Sequence, residues 1–181
     1  MSNDIRASAT RDDPGDWSVE LFDLLRANQV VFFPYIPDAG NARLIGLAER
    51  HPDTEAILLT TEEEGVAFCA GADLAGRRAT LVMQSSGVGN CGNLLSLVAG
   101  ACFPMLMIVT MRGDYGERNP WQYAMGQAVQ GFLDTMHILQ FRVEERRELG
   151  NAATAAIAAA FDGGQGAALI LSQRFLGAKV F

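Results

Sequence analysis

Short, unbroken apolar runs alternate along the chain with longer stretches in which apolar residues recur every three or four positions. The short runs are residues 30–33, 56–60, 80–84, 105–110, 138–143 and 167–171, and turn residues bound them; Pro34 closes the first. Continuous apolar runs of this length predict strands buried on both faces. Between them lie helical stretches. Asp16 predicts an N-cap for a helix to residue 28, with Trp17, Leu21, Leu24 and Leu25 on one face. A second helix opens at Asp38 and carries Leu44, Ile45 and Leu47, and a third runs from Glu62 to about Gly76. A fourth follows a glycine-rich turn and ends near Gly100, and an alanine-rich helix fills the interval from Glu144 to Phe161. Strands separated by helices predict an α/β fold: one three-layer domain, a six-stranded, mainly parallel sheet with helices on both faces. Residues 16–181 form this domain, and residues 1–15 are a flexible N-terminal arm. Ligands of such sheets bind beyond the carboxyl ends of the strands, which selects the loops at 34–38, 60–64, 84–93 and 111–127.

The chain has 181 residues, enough for one core. Fourteen Lys and Arg against twenty-one Asp and Glu give a net charge of −7, which argues against nucleic acid or an anionic membrane as partner. No charge occurs between Arg78 and Arg112, and residues 94–111 are long enough to span a bilayer on paper. Ser96, Gly100 and Pro104 interrupt that stretch, so a core helix followed by a buried strand is the better reading. Cys69, Cys91 and Cys102 lie in apolar stretches without Cys-x-x-Cys spacing, which predicts buried free thiols. The N-terminus lacks the apolar core of a signal peptide, which implies a cytoplasmic protein.

Two segments carry candidate chemistry. Glu62, Glu63 and Glu64 stand between a strand and a helix, where acids complement the helix dipole. The sequel Gly65-Val66-Ala67-Phe68-Cys69-Ala70-Gly71-Ala72 predicts a helix packed closely on both sides. A carboxylate at the mouth of so dry a segment is a candidate proton partner. The second segment is Gln84-Ser85-Ser86-Gly87-Val88-Gly89-Asn90-Cys91-Gly92-Asn93, whose glycines satisfy the letter of the dinucleotide fingerprint. It follows the third strand, not the first, so the surviving reading is a turn where a ligand approaches the main chain. His51 and His137 have no partners in sequence for a metal site or a catalytic triad.

Together these segments, from Glu62 to Gly76 and from Met83 to Asn90, resemble the pyrimidine-binding (PYR) domain of thiamine diphosphate-dependent decarboxylases of the sulfopyruvate and phosphonopyruvate type. Residues 33–38, Pro104-Met105-Leu106-Met107-Ile108, Arg112-Gly113 and residues 122–126 extend the likeness to about residues 17–175. The resemblance implies that a glutamate hydrogen-bonds N1′ of the cofactor's aminopyrimidine and promotes the tautomer that activates the thiazolium carbon. The role falls on Glu62, with Glu63 as the fallback. Ser85, Ser86, Gly87 and Asn90 would line the pyrimidine side of the pocket, and Arg112 and Gln122 would meet the substrate, with Arg118 also available.

The family also needs a diphosphate-binding domain with a Gly-Asp-Gly motif that holds Mg2+, and this chain contains no such motif. The resemblance therefore implies an alpha-type subunit of a carboxy-lyase, a 2-oxo acid decarboxylase. It would be active only with a diphosphate-binding beta subunit in a hetero-oligomer. Tyr115 and Trp121 in the long loop leave the identity of the oxo acid open. Two other readings stay open: a non-catalytic nucleotide- or cofactor-binding module built on the Gly87 segment, and a regulatory partner that keeps the fold without the chemistry.

Overall fold

The computed structural model describes residues 16–177; the expected arm at 1–15 lies outside the described residues. Six strands form one sheet: β1 (Val30–Tyr35), β2 (Glu55–Leu58), β3 (Arg78–Gln84), β4 (Met105–Thr110), β5 (Leu139–Val143) and β6 (Gly166–Leu171). Their order is β2-β1-β3-β4-β6-β5 and every pairing is parallel, so the expected "mainly parallel" sheet is wholly so. Helices α1 (Trp17–Ala27) and α2 (Ala42–Arg50) lie on one face. On the other lie α3 (Glu62–Leu74), α4 (Ser85–Asn90), α5 (Ser96–Ala101) and α6 (Tyr123–Thr135), while α7 (Leu149–Phe161) returns to the first face. A short helical turn, α8 (Gln173–Leu176), ends the described chain.

The period-two alternation of strands feeds two cores. In β4, Leu106 and Ile108 join Leu21, Leu25, Leu44 and Ile157 on one side of the sheet. Met105, Met107 and Val109 join Val66, Leu95 and Leu133 on the other. Both faces are thereby dry, which explains the unbroken apolar runs. The stretch read as too interrupted for a membrane is α5 followed by β4, and no helix among the described residues is long and apolar enough to cross one.

Four expectations change. Pro34 does not end β1, which continues to Tyr35 and pairs Pro34 with Ile57 of β2. The β1–β3 register shifts between Val30 and Phe32, ahead of the proline, while Pro34 keeps regular register with β2. The second helix starts at Ala42, not Asp38, because the Asp38 carboxylate is engaged elsewhere. The third correction is that the glycine segment is not an open turn: Ser85 to Asn90 is helical, and a turn separates it from α5. Finally, the loop expected through residue 127 gives way to a helix at Tyr123, two turns of which were hidden by Gly126 and Gly131. Gly126 is there for packing: a Cβ on it would sit 2.2 Å from the Arg112 carbonyl oxygen.

The strand order places the reversal of winding between β1 and β3, where β1 leads outward to β2 and β3 leads the other way to β4. The residues leaving the carboxyl ends of these strands meet in the crevice the topology creates there.

Candidate functional site

Glu62 is the first residue of α3 and is buried, 7% exposed, whereas Glu63 and Glu64 are exposed. Glu64 accepts a hydrogen bond from the Thr60 backbone N–H at 2.8 Å and so closes the turn into the helix. This separates the three acids: Glu64 serves the helix start, and Glu62 points inward toward α4. There Asn90 Nδ2 donates to Glu62 Oε2 at 2.8 Å. A Cβ on Gly87 would lie 2.4 Å from Glu62 Oε1 and 2.5 Å from Cδ. The carboxylate thus fills the space that glycine leaves. Gly89 likewise faces Met125 of α6, with Sδ 2.9 Å from its would-be Cβ. A dinucleotide turn is therefore not what these glycines build.

The helix α3 packs on one side only. Gly65 faces β3, where a Cβ would come 2.3 Å from Leu81 Cδ1, and Val66, Cys69 and Ala72 continue that buried stripe. Ala67, Gly71 and Leu74 are exposed, against the expectation of close packing on both sides. Cys91, just past α4, is buried, and its thiol is pushed up to about 12 by burial first and by Glu62 and Glu63 after it. A neutral thiol therefore stands beside the Glu62 carboxylate. Cys69 is also buried, but Cys102 is exposed, which corrects the expectation for that residue. Cys102 ends α5 with a positive φ of 54°, at a turn facing solvent.

Ser85 and Ser86 diverge. Ser85 is fully buried, its hydroxyl donating to the Arg112 carbonyl at 3.2 Å and accepting from the Arg112 N–H at 3.0 Å. It joins the start of α4 to the exit of β4. Ser86 is exposed and donates to Gln84 Oε1 at 3.0 Å. From Gln84 the network continues into the crevice: Gln84 Nε2 donates to Asp38 Oδ1 at 2.9 Å, and Thr110 Oγ1 donates to Asp38 Oδ2 at 2.6 Å. Asn41, fully buried, donates to Thr110 Oγ1 and to the Met83 carbonyl, both at 3.1 Å. The sequence reading gave Asp38 only as a helix start; the signal was three polar residues, Asp38, Gln84 and Thr110, at or just past the carboxyl ends of the adjacent strands β1, β3 and β4.

Arg112 lies at the end of β4 and is paired with Glu117, a buried acid that sequence reading passed over. The guanidinium meets it at two points, Nε to Oε2 at 2.5 Å and Nη2 to Oε1 at 2.7 Å. Gln122 occupies a 3-10 turn ahead of α6, half-buried, and its Oε1 is buried without a hydrogen-bond partner. Its carbonyl backs onto Gly113, which has φ 77° and no room for a Cβ. Arg118 is exposed.

A cleft of about 700 Å³ opens beyond β1, β4, β5 and β6, with Asp38, Arg43, Arg112, Glu144, Arg146 and Arg174 among its walls. Its arginines are largely engaged by neighbours: Arg43 with Asp16, Arg146 with Glu20 at 2.5 Å, and Arg174 over the Tyr115 ring at 4.8 Å. Glu62 sits on the α3 and α4 side of the sheet, and Arg112 reaches both regions, its side chain at the cleft and its backbone on Ser85.

No protein-family model matches the chain. The alpha subunit of sulfopyruvate decarboxylase from Methanocaldococcus jannaschii is 33% identical over 132 residues, 72% of this chain and 78% of that one. The corresponding subunit from Methanococcus maripaludis is 38% identical over 113 residues, 62% of this chain and 68% of its own length. Phosphonopyruvate decarboxylase from Streptomyces viridochromogenes is 38% identical over 93 residues, half of this chain and 23% of that longer one. Among solved structures, a 2-oxoglutarate:ferredoxin oxidoreductase from Magnetococcus marinus matches 90% of this chain and 29% of its own, with a TM-score of 0.68 at 14% identity. That likeness is one of fold.

Proposed function

The chain belongs to the family of sulfopyruvate decarboxylase alpha subunits, and from that premise we propose that it is the pyrimidine-side subunit of a thiamine diphosphate-dependent 2-oxo acid decarboxylase, with Glu62 as its catalytic acid. The observation that supports this most directly is a buried carboxylate at the carboxyl end of β2, held at one oxygen by Asn90 and free of protein hydrogen bonds at the other among the described residues. A carboxylate so placed suits a ring nitrogen that shares a proton. Thiamine diphosphate, when bound, supplies the electron sink for the carbon that loses carbon dioxide.

The chain's own residues do the rest of this side of the site. Glu62 would hold the proton on its carboxylate and return it to the aminopyrimidine of a bound cofactor. Ser85 locks α4 to the end of β4, so the wall carrying Gly87 and Asn90 keeps its place when the site is filled. Ser86, exposed at the start of α4, is available to the cofactor. Arg112 and Gln122 are the substrate-side candidates. Glu117 already balances the Arg112 charge, so Arg112 would act as a directional donor. Among the described residues no group of three or more His, Cys, Asp or Glu is placed to hold a metal ion. We assign the diphosphate and Mg2+ to a beta subunit, with the cofactor across the interface of a hetero-oligomer.

The test is reconstitution. The chain alone should decarboxylate sulfopyruvate negligibly, and should become active with its companion subunit, thiamine diphosphate and Mg2+. In that complex Glu62→Gln should lose at least about a hundredfold in kcat while Glu63→Gln keeps most of it. Full activity of Glu62→Gln would remove Glu62 from the chemistry, and full activity of the isolated chain would remove the split site.

A further inference from the structure

We infer that Asn90 is a positioning residue for Glu62 that dictates which carboxylate oxygen carries the proton, and that Gly87 is the space in which that oxygen sits; neither acts by touching the cofactor. This rests on the proton-transfer reading of Glu62 given above and deepens it.

The argument begins with helix geometry. Gly87 and Asn90 are three residues apart in α4, so they share one face, and that face is turned to the first residue of α3. The amide of Asn90 can meet a carboxylate only through its NH2 end, and an NH2 group only donates. In this arrangement Glu62 Oε2, at 2.8 Å, is the acceptor. A proton taken up on Oε1 leaves this bond intact, whereas one on Oε2 would compete with the amide donor or require the amide to turn over.

Oε1 is the oxygen lying over Gly87, 2.4 Å from where a Cβ would be. No side chain larger than hydrogen leaves it there. The two α4 residues thus perform complementary tasks: one occupies Oε2, and the other vacates the position of Oε1. The neighbouring Cys91 thiol is neutral at ordinary pH and adds no competing charge. The consequence is a carboxyl group with one defined proton-bearing atom in place of two equivalent ones, which keeps a single orientation toward its partner nitrogen.

The experiment uses the complex of this chain with its companion subunit, thiamine diphosphate, Mg2+ and sulfopyruvate. Asn90 is exposed at the end of α4, so Asn90→Ala should fold, and Asn90→Asp keeps the shape while replacing the donor by an acceptor. Both should lower kcat by roughly 10- to 100-fold, the scale of a misplaced catalytic group. The dissociation constant for thiamine diphosphate, measured by calorimetry, should stay within about threefold of the parent, because the residue acts through Glu62. Glu62→Gln combined with Asn90→Ala should be no slower than Glu62→Gln alone. A cofactor affinity that falls in step with kcat makes Asn90 a cofactor contact and overturns the proposal, as does unchanged kcat in both variants. Full activity of Glu62→Gln would overturn the underlying reading instead. An inactive Glu62→Gln beside a fully active Asn90→Ala would overturn the Asn90 assignment alone.

Discussion

Arg112 and Glu117 form a two-point ion pair whose carboxylate is only 1% exposed and whose guanidinium is 12% exposed. Glu117 does more than balance a charge. It also accepts from the backbone N–H groups of Gly113, Arg118 and Asn119 at 3.3, 2.9 and 2.8 Å, and from Gln173 Nε2 at 2.9 Å. One buried acid therefore gathers the loop after β4 and the turn after β6, while the backbone of Arg112 clamps Ser85 of α4. The long polar loop after β4 is wound around a fixed carboxylate.

This arrangement predicts an acid-sensitive stability. The Arg112 guanidinium holds the Glu117 carboxyl far below the usual carboxylate range, and the backbone donors and Gln173 add to the effect against the opposing cost of burial. A depressed folded-state pKa gives stability that is fully present above the unfolded value of about 4.3 and is lost as pH falls toward the folded one. Glu117→Gln should therefore cost about 3 kcal/mol at pH 7, because Arg112 keeps its charge in a nearly closed site. The difference should shrink as both proteins are taken into acid. Denaturant melts of the two proteins between pH 7 and pH 3 check this; equal stability at pH 7 would sink it.

Asp38 carries a parallel expectation. It accepts from Gln84, Thr110 and the Gly40 N–H at 2.9, 2.6 and 3.1 Å, at the point where the winding of the sheet reverses. Asp38→Ala leaves those donors without their acceptor and should destabilise by about 1–3 kcal/mol. Asp38→Asn keeps the shape and should lose less. Thermal unfolding of the two variants side by side decides the order, and a reversed order rejects it.

How much of this was legible in the sequence depends on whether a residue's surroundings are local. The strands were readable because both faces of the sheet are dry, so Met105 to Val109 needs no polar position. Helix α6 was not, because Gly126 obeys the Arg112 carbonyl across a gap of thirteen residues and not the propensity of its own turn. The same holds for α4, where Ser-Ser-Gly-Val-Gly-Asn reads as a turn and is wound by what Gly87 and Gly89 touch. Glu62 could be picked from its place after a strand. Glu117 could not, since an acid in a polar loop carries no sign that it will be buried.

The cysteines give a chemical check on how closely the α3 and α4 side of the sheet is packed. Cys102 is exposed, whereas Cys69 and Cys91 are buried, with thiols pushed up to about 12, chiefly by burial. The thiolate is the reactive form, so one thiol in the native chain should react rapidly with a disulfide reagent and two only on unfolding. Cys102→Ser should abolish the fast phase. A fast phase that survives this change would mean that the α4 region opens far more readily than its packing implies.

Three glycines on or against α3 should behave differently although all three stand in helices. Gly71 is exposed with nothing within 4 Å of a Cβ, so Gly71→Ala removes backbone freedom from the unfolded chain and should stabilise by up to about 1 kcal/mol. Gly65 faces Leu81 Cδ1 at 2.3 Å and Leu59 Cδ1 at 2.9 Å, so Gly65→Ala must push α3 off β3 and should destabilise by about 1–3 kcal/mol. Gly87 meets Glu62 and not the core, with the added methyl 2.4–2.5 Å from Oε1, Cδ and Cγ. Gly87→Ala should displace that side chain at a smaller cost in stability than Gly65→Ala, yet take most of the activity of the reconstituted complex with it. Melting temperatures and kcat measured on the three variants separate the cases. A Gly87→Ala protein that keeps full kcat would show that the orientation of Glu62 is not set by the space beside α4.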